Sequence, residues 1–150
     1  MLKVTRKTKQ VDIILDQELA ERIAMLGDQL ARELTAEQVT EAGANNAAKR
    51  TAKRIEELRK QAEASTLVIT LRAMGVSKWA QTLAANTVTN GATAGTRDMF
   101  GTAATALPQM IETATIGGRP VDDADLTKDA LLTLFGEMTD GQFTPLWHAI

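Results

Sequence analysis

From Leu19 onward, apolar side chains recur at Leu19, Ile23, Leu26, Leu30 and Leu34, at spacings of four, three, four and four. That places them on one face of a helix. Alternating fours and threes form the seam that two helices share. Asp16 suits the N-cap, and the helix can be continued through Val39 to about Ala42. At 1.5 Å per residue, such a helix is a rod of ~40 Å. Gly43 to Asn46 form a joint, with Gly favoured just past a helix end and Asn at the next N-cap. A second amphipathic stretch follows, carrying Ala48, Ala52, Ile55, Leu58 and Ala62.

The two stretches carry opposite charge. Residues 16–42 hold seven acids against Arg22 and Arg32, while Lys49, Arg50, Lys53, Arg54, Arg59 and Lys60 outnumber Glu56, Glu57 and Glu63 in the second. This favours an antiparallel hairpin over about 16–64, coiled-coil-like and projecting from a single domain, although individual exposed pairs contribute little. Pairing between subunits, or one long helix with Gly43 inside it, satisfies the same pattern.

Flanking this region are strand signals. Val11, Ile13, Ile14 and Leu15 indicate a strand around 10–15, for which residues 2–7 offer a partner. The cations Lys3, Arg6, Lys7 and Lys9 are those of a solvated edge strand that resists edge-to-edge pairing, rather than of a phosphate-binding arm. Leu67, Ile69 and Leu71 alternate as a half-buried strand, which runs through Arg72-Ala73-Met74-Gly75 into a helix bearing Trp79, Leu83 and Ala84. Asn86 to Arg97 form a loop or a small Asn90-Gly91 hairpin. Asp98 or Thr96 caps a helix with Met99, Phe100, Ala103, Ala104 and Leu107, which Pro108 kinks or ends. Gly117-Gly118 is a turn. Asp122, Asp123 and Asp125 make an acidic helix start, followed by Leu126, Leu131, Leu134, Phe135 and Met138. A last helix from Gly141 to Ile150 holds Phe143, Leu146, Trp147 and Ile150. The expected fold class is therefore α+β and mostly helical. It has one or two N-terminal strands, a long charged helical hairpin, and a small sheet packed with C-terminal helices.

Composition narrows the function. Apolar residues make up 44% of the chain but aromatic ones only 3%, so the core must be aliphatic and poor in rings. A formal net charge of −2 argues against general nucleic-acid affinity, which needs surplus positive charge to release counterions. The absence of Cys removes thiol chemistry, disulfides and Cys-based zinc sites. No apolar run approaches the ~20 residues of a membrane span or the core of a signal peptide, which leads to an expectation of a soluble intracellular protein.

No residue set announces catalysis. Asp123, Asp125, Thr127 and Asp129 alternate oxygen ligands as a calcium loop does, but Lys128 stands where that loop needs Gly and Leu134 where it needs Glu. There is no phosphate-binding Gly pattern. His148 is the sole His and has no nucleophile elbow to serve. The expectation is no metal, no cofactor and no enzymatic activity.

Three segments carry a family resemblance. They are VDIILDQELAERIAMLGDQL (Val11–Leu30), Thr66 to Ala85 with its Arg72-Ala73-Met74-Gly75 turn and Trp79, and Leu131 to Ile150 ending MTDGQFTPLWHAI. In this order the chain resembles the tail assembly chaperones of long-tailed actinobacteriophages. It departs from their pattern at Asn86 to Arg97, which lacks the usual Pro. The resemblance implies a non-enzymatic protein of the host cytoplasm that binds the tape measure protein, a long helical client, during tail morphogenesis.

The residues expected to meet such a client, or a second copy of the chain, are Leu19, Ile23, Leu26 and Leu30 of the first helix. Phe143, Leu146 and Trp147 join them, because the sequence ends within an apolar pattern. The alternative is a structural virion subunit, such as a neck, tail-end or decoration protein, that makes subunit contacts through its N-terminal arm or hairpin.

Overall fold

The computed structural model describes residues 1–37 and 45–150. Strand β1 (Thr8–Ile14) is followed by helices α1 (Gln17–Glu37) and α2 (Asn45–Ala62), then strand β2 (Thr66–Arg72). Helices α3 (Val76–Ala85) and α4 (Met99–Met110) lead to strands β3 (Ile111–Ile116) and β4 (Arg119–Pro120). Helices α5 (Lys128–Glu137) and α6 (Asp140–Ala149) follow. The chain is thus mostly helical α+β with a small antiparallel sheet. The extension of the first helix to Ala42, and Gly43 in the joint, lie outside the described residues. Packing divides the chain into two compact units, residues 14–66 and residues 1–13 with 67–150.

In the 14–66 unit, Asp16 caps α1 as its position suggests, its Oδ1 accepting the Leu19 N–H at 3.2 Å. Helices α1 and α2 pack against each other within one chain, and the Thr51 hydroxyl of α2 donates to Glu33 Oε2 of α1 at 2.7 Å. The pairing is therefore an intrachain hairpin.

The other unit is built on a sheet of order β1-β2-β3-β4. Strand β2 alternates as the sequence indicates, with Leu67, Ile69 and Leu71 buried. It pairs antiparallel with β3, Ile69 opposite Ala114, and the register slips between Thr70 and Leu71. Gly117 and Gly118 turn β3 into β4 with φ of 57° and 78°, the left-handed conformations that a two-residue hairpin needs.

Helix α4 is the most enclosed element. Ala103, Ala104, Ala106 and Leu107 have no exposed surface, and the small side chains let neighbours approach closely. Asp98 caps the helix, accepting the Gly101 N–H at 3.0 Å. A Cβ at Gly101 would lie 2.5 Å from Asp98 Oδ2 and 2.6 Å from Asn86 Oδ1, so a larger residue there would have to displace the capping carboxylate and the buried amide. Asn86 itself is buried, and its amide donates to the Thr82 carbonyl at 2.9 Å and to Thr105 Oγ1 at 3.1 Å, tying α3 to α4. The helix runs past Pro108 to Met110, where β3 begins.

Two expected elements differ. Residues 2–7 form no strand: residues 1–7 have no regular structure and are exposed along their whole length. The neighbour of β1 is β2, bracketed by Leu15 N–H donating to Ser65 O at 2.8 Å and Ala73 N–H donating to Lys7 O at 2.9 Å. The acidic run does not start a helix. Asp123–Leu126 is a single 3-10 turn, and α5 begins at Lys128 because the Thr127 hydroxyl accepts the Ala130 N–H and serves as its cap.

Candidate functional site

The hairpin's two apolar stripes meet different fates. On α2, Ala48, Thr51, Ile55, Leu58 and Ala62 recur at spacings of three, four, three and four, and all are buried. On α1, Leu19, Ile23, Leu26 and Leu30 are only half-buried, and Leu34 is 47% exposed. The seam does not continue to Leu34. It keeps the spacing of three and passes to Glu33, which is half-buried and faces α2.

Glu33 and Thr51 form a polar rung in this seam. Glu33 accepts from Gln29 Nε2 at 2.8 Å and from the Thr51 hydroxyl at 2.7 Å. The Gln29 amide first, then the Thr51 hydroxyl, hold the Glu33 carboxyl below its ordinary pKa, and the charges of Arg50 and Arg32 add to this. A charged residue at a seam position was not anticipated. The signal was present in the heptad spacing, which both helices keep when Glu33 and Thr51 are counted as seam members.

The rung also shows on which side of the α1 stripe α2 lies. Contact through Gln29 and Glu33 leaves the opposite flank of the stripe uncovered. Along that flank Ala20, Ala24, Gly27, Ala31 and Leu34 recur at spacings of four, three, four and three. Ala24, Gly27, Ala31 and Leu34 are exposed, and a Cβ added at Gly27 would meet nothing within 4 Å. The apolar arc of α1 is wider than one neighbouring helix covers. What remains open is a flat, small-residue face edged by Ile23, Leu30 and Leu34.

The C-terminal candidates need correction. Phe143 is 5% and Leu146 1% exposed, so both are core residues and neither offers a surface anchor. Phe143 sits at the centre of a ring cluster, with centroids 4.9 Å from Phe100, 5.1 Å from Phe135 and 6.3 Å from Trp147. Trp147, stacked on it, is half-buried and is the one member of the C-terminal trio with surface to offer. Phe100, which also packs on Phe143, is 49% exposed. Helix α6 begins with a full capping box between Thr139 and Gln142, which holds this apolar stretch as a packed helix.

Among the described residues, no group of three or more His, Asp or Glu could hold a metal ion, and no helix is long and apolar enough to cross a membrane. His148 is exposed. No family model, curated protein or solved structure with which the chain was compared matches it.

Proposed function

We propose that this chain is a non-enzymatic tail assembly chaperone of a long-tailed phage, acting in the host cytoplasm, which binds a long helical client of the tape-measure type. One observation carries the reading: the face of α1 formed by Ala24, Gly27, Ala31 and Leu34 is apolar, helical and uncovered, while the partner helix α2 has its own stripe fully buried. Small residues at heptad spacing let another helix approach closely, and Ile23, Leu30 and Leu34 supply larger contacts at the edge. This is helix-on-helix recognition. The resemblance at Val11–Leu30, Thr66–Ala85 and Leu131–Ile150 supplies the identity of the client. The face is largely uncharged, so binding through it survives moderate salt.

The test is co-expression with fragments of a long helical tape-measure-type protein from the same genome, followed by co-purification. Ala24→Glu and Ala31→Glu lie on the exposed face and should leave the melting temperature nearly unchanged, yet abolish capture of the client. Capture that persists in both variants, or no capture of any fragment by the parent, refutes this reading. The structural-subunit reading is favoured by a different feature, the exposed apolar and basic segment at residues 1–7. Retention of the protein in purified particles would select it.

A further inference from the structure

Residues 1–7 and the far edge of the sheet are complementary. The segment has no regular structure, although its sequence alternates as a strand does. Leu2 is 99% and Val4 83% exposed, and Lys3, Arg6 and Lys7 give it positive charge. At the other edge, β4 pairs only with Thr115 and Ile116, and Val121 N–H adds one bond to the Ala114 carbonyl. Among the described residues, therefore, no strand pairs with residues 111–113 of β3 on that side. Beside them runs a groove floored by Ile111, Ala114, Val121 and Leu126 and rimmed by Asp123 and by Glu112, which is already ion-paired with Arg72. Asp122 and Asp125 stand exposed next to it.

We propose that residues 1–6 of one copy lie along the uncovered part of β3 in a second copy. Leu2 and Val4 meet the groove floor, and Lys3 and Arg6 meet its carboxylate rim. Main-chain pairing along an open strand edge gives affinity, and alternate side chains in a groove give register. Opposite charges set the partner and orientation.

The same chain's own segment is poorly placed for this. Its Lys7 carbonyl is bonded to Ala73 N–H beside β2, so the segment leaves the sheet at the β1 edge. To reach beyond β3 it must first cross three strand spacings, ~14 Å. Six residues extend only ~20 Å, which leaves little to pair. A second copy has no such constraint. The contact is heterologous, segment to edge, so it can propagate from copy to copy into a ring or a row. It uses neither face of the hairpin, and it holds whether or not the client proposed above is bound.

Sedimentation of the purified full chain alone, over a concentration series, tests this. The parent should associate, and more weakly as salt is raised. Lys3→Glu with Arg6→Glu, and separately Asp122→Lys with Asp123→Lys, should each weaken association by about tenfold or more, a loss of ~1.4 kcal/mol. All four positions are exposed, and circular dichroism should show both variants folded. Mixed in equal amounts, the two variants should form a complex of one-to-one composition that associates as the parent does, because each segment then faces a rim of opposite charge. A monomeric parent at every concentration overturns the proposal. So does a charge-reversed segment that associates as well as the parent, or a mixture that fails to form the complex.

Discussion

Helices α1 and α2 lie side by side, and the one with the stronger apolar stripe is the one left more open. The stripe on α1 is Leu and Ile, and it is half-buried; that on α2 is Ala48, Thr51, Ile55, Leu58 and Ala62, and it is buried throughout. Hydrophobic strength along a helix measures how much contact it can use. It does not measure how much a single neighbour supplies. One helix covers a narrow seam, which is all that α2 offers, whereas the apolar arc of α1 includes a second line one residue further round. The surplus on α1 is the physical basis for assigning it a partner.

The sharpest test of this contrast compares the same substitution on the two helices. Leu58→Asp places a charge at a side chain that is 2% exposed. It should cost ~4 kcal/mol or more, enough to unfold the hairpin. Leu26→Asp, on the half-buried stripe, should cost roughly half as much, because its carboxylate can turn to water. Urea unfolding followed by circular dichroism measures both. Equal losses would mean that α1 is as enclosed as α2, and the contrast would fail.

Thr51→Val keeps the volume and removes the hydroxyl that donates to Glu33. It should lower the unfolding midpoint by less than Leu26→Asp does. No change would show that the rung contributes nothing to the seam.

The smallest effect is one of pH. Because its pKa is lowered on folding, ionised Glu33 favours the folded state. Its contribution is complete above the unfolded carboxylate value of ~4.3 and is lost as pH falls through the lower folded value. The difference in midpoint between the parent and Glu33→Gln should therefore shrink as the solution is acidified below about pH 4. A difference that stays constant across that range would remove Glu33 from the account.

Much of the fold was legible where local chemistry decides the outcome. The alternation of Leu67, Ile69 and Leu71, the cap at Asp16 and the Gly117-Gly118 turn each depend on a few adjacent residues, and each stands where the pattern puts it. What could not be read was what covers a given face. Phe143 and Leu146 have the spacing of a surface stripe and of a core stripe alike, and only the placement of Phe100 and Phe135 around Phe143 distinguishes the two. Leu34 continues the apolar stripe, but the seam's arithmetic passes to Glu33, so composition and spacing part at the end of α1. The start of α5 obeys a related rule. Asp122, Asp123 and Asp125 crowd the approach to it, but the single Thr127 hydroxyl is enough to set the helix boundary.

The bond from Leu15 N–H to Ser65 O has a consequence for how such a chain can vary. Residues 15–65 leave β1 and return to β2 at adjacent, hydrogen-bonded positions, so the connection between the two strands opens and closes at one point. Adding or removing residues far out on the two helices changes neither end of that connection, and the entropic cost of a longer excursion grows only slowly with its length. Matched heptads could be inserted or deleted in both helices, or the excursion replaced by a two-residue loop, with the strand register conserved. The length of the two helices is thus a dimension that can vary without touching the strand pairing at their ends.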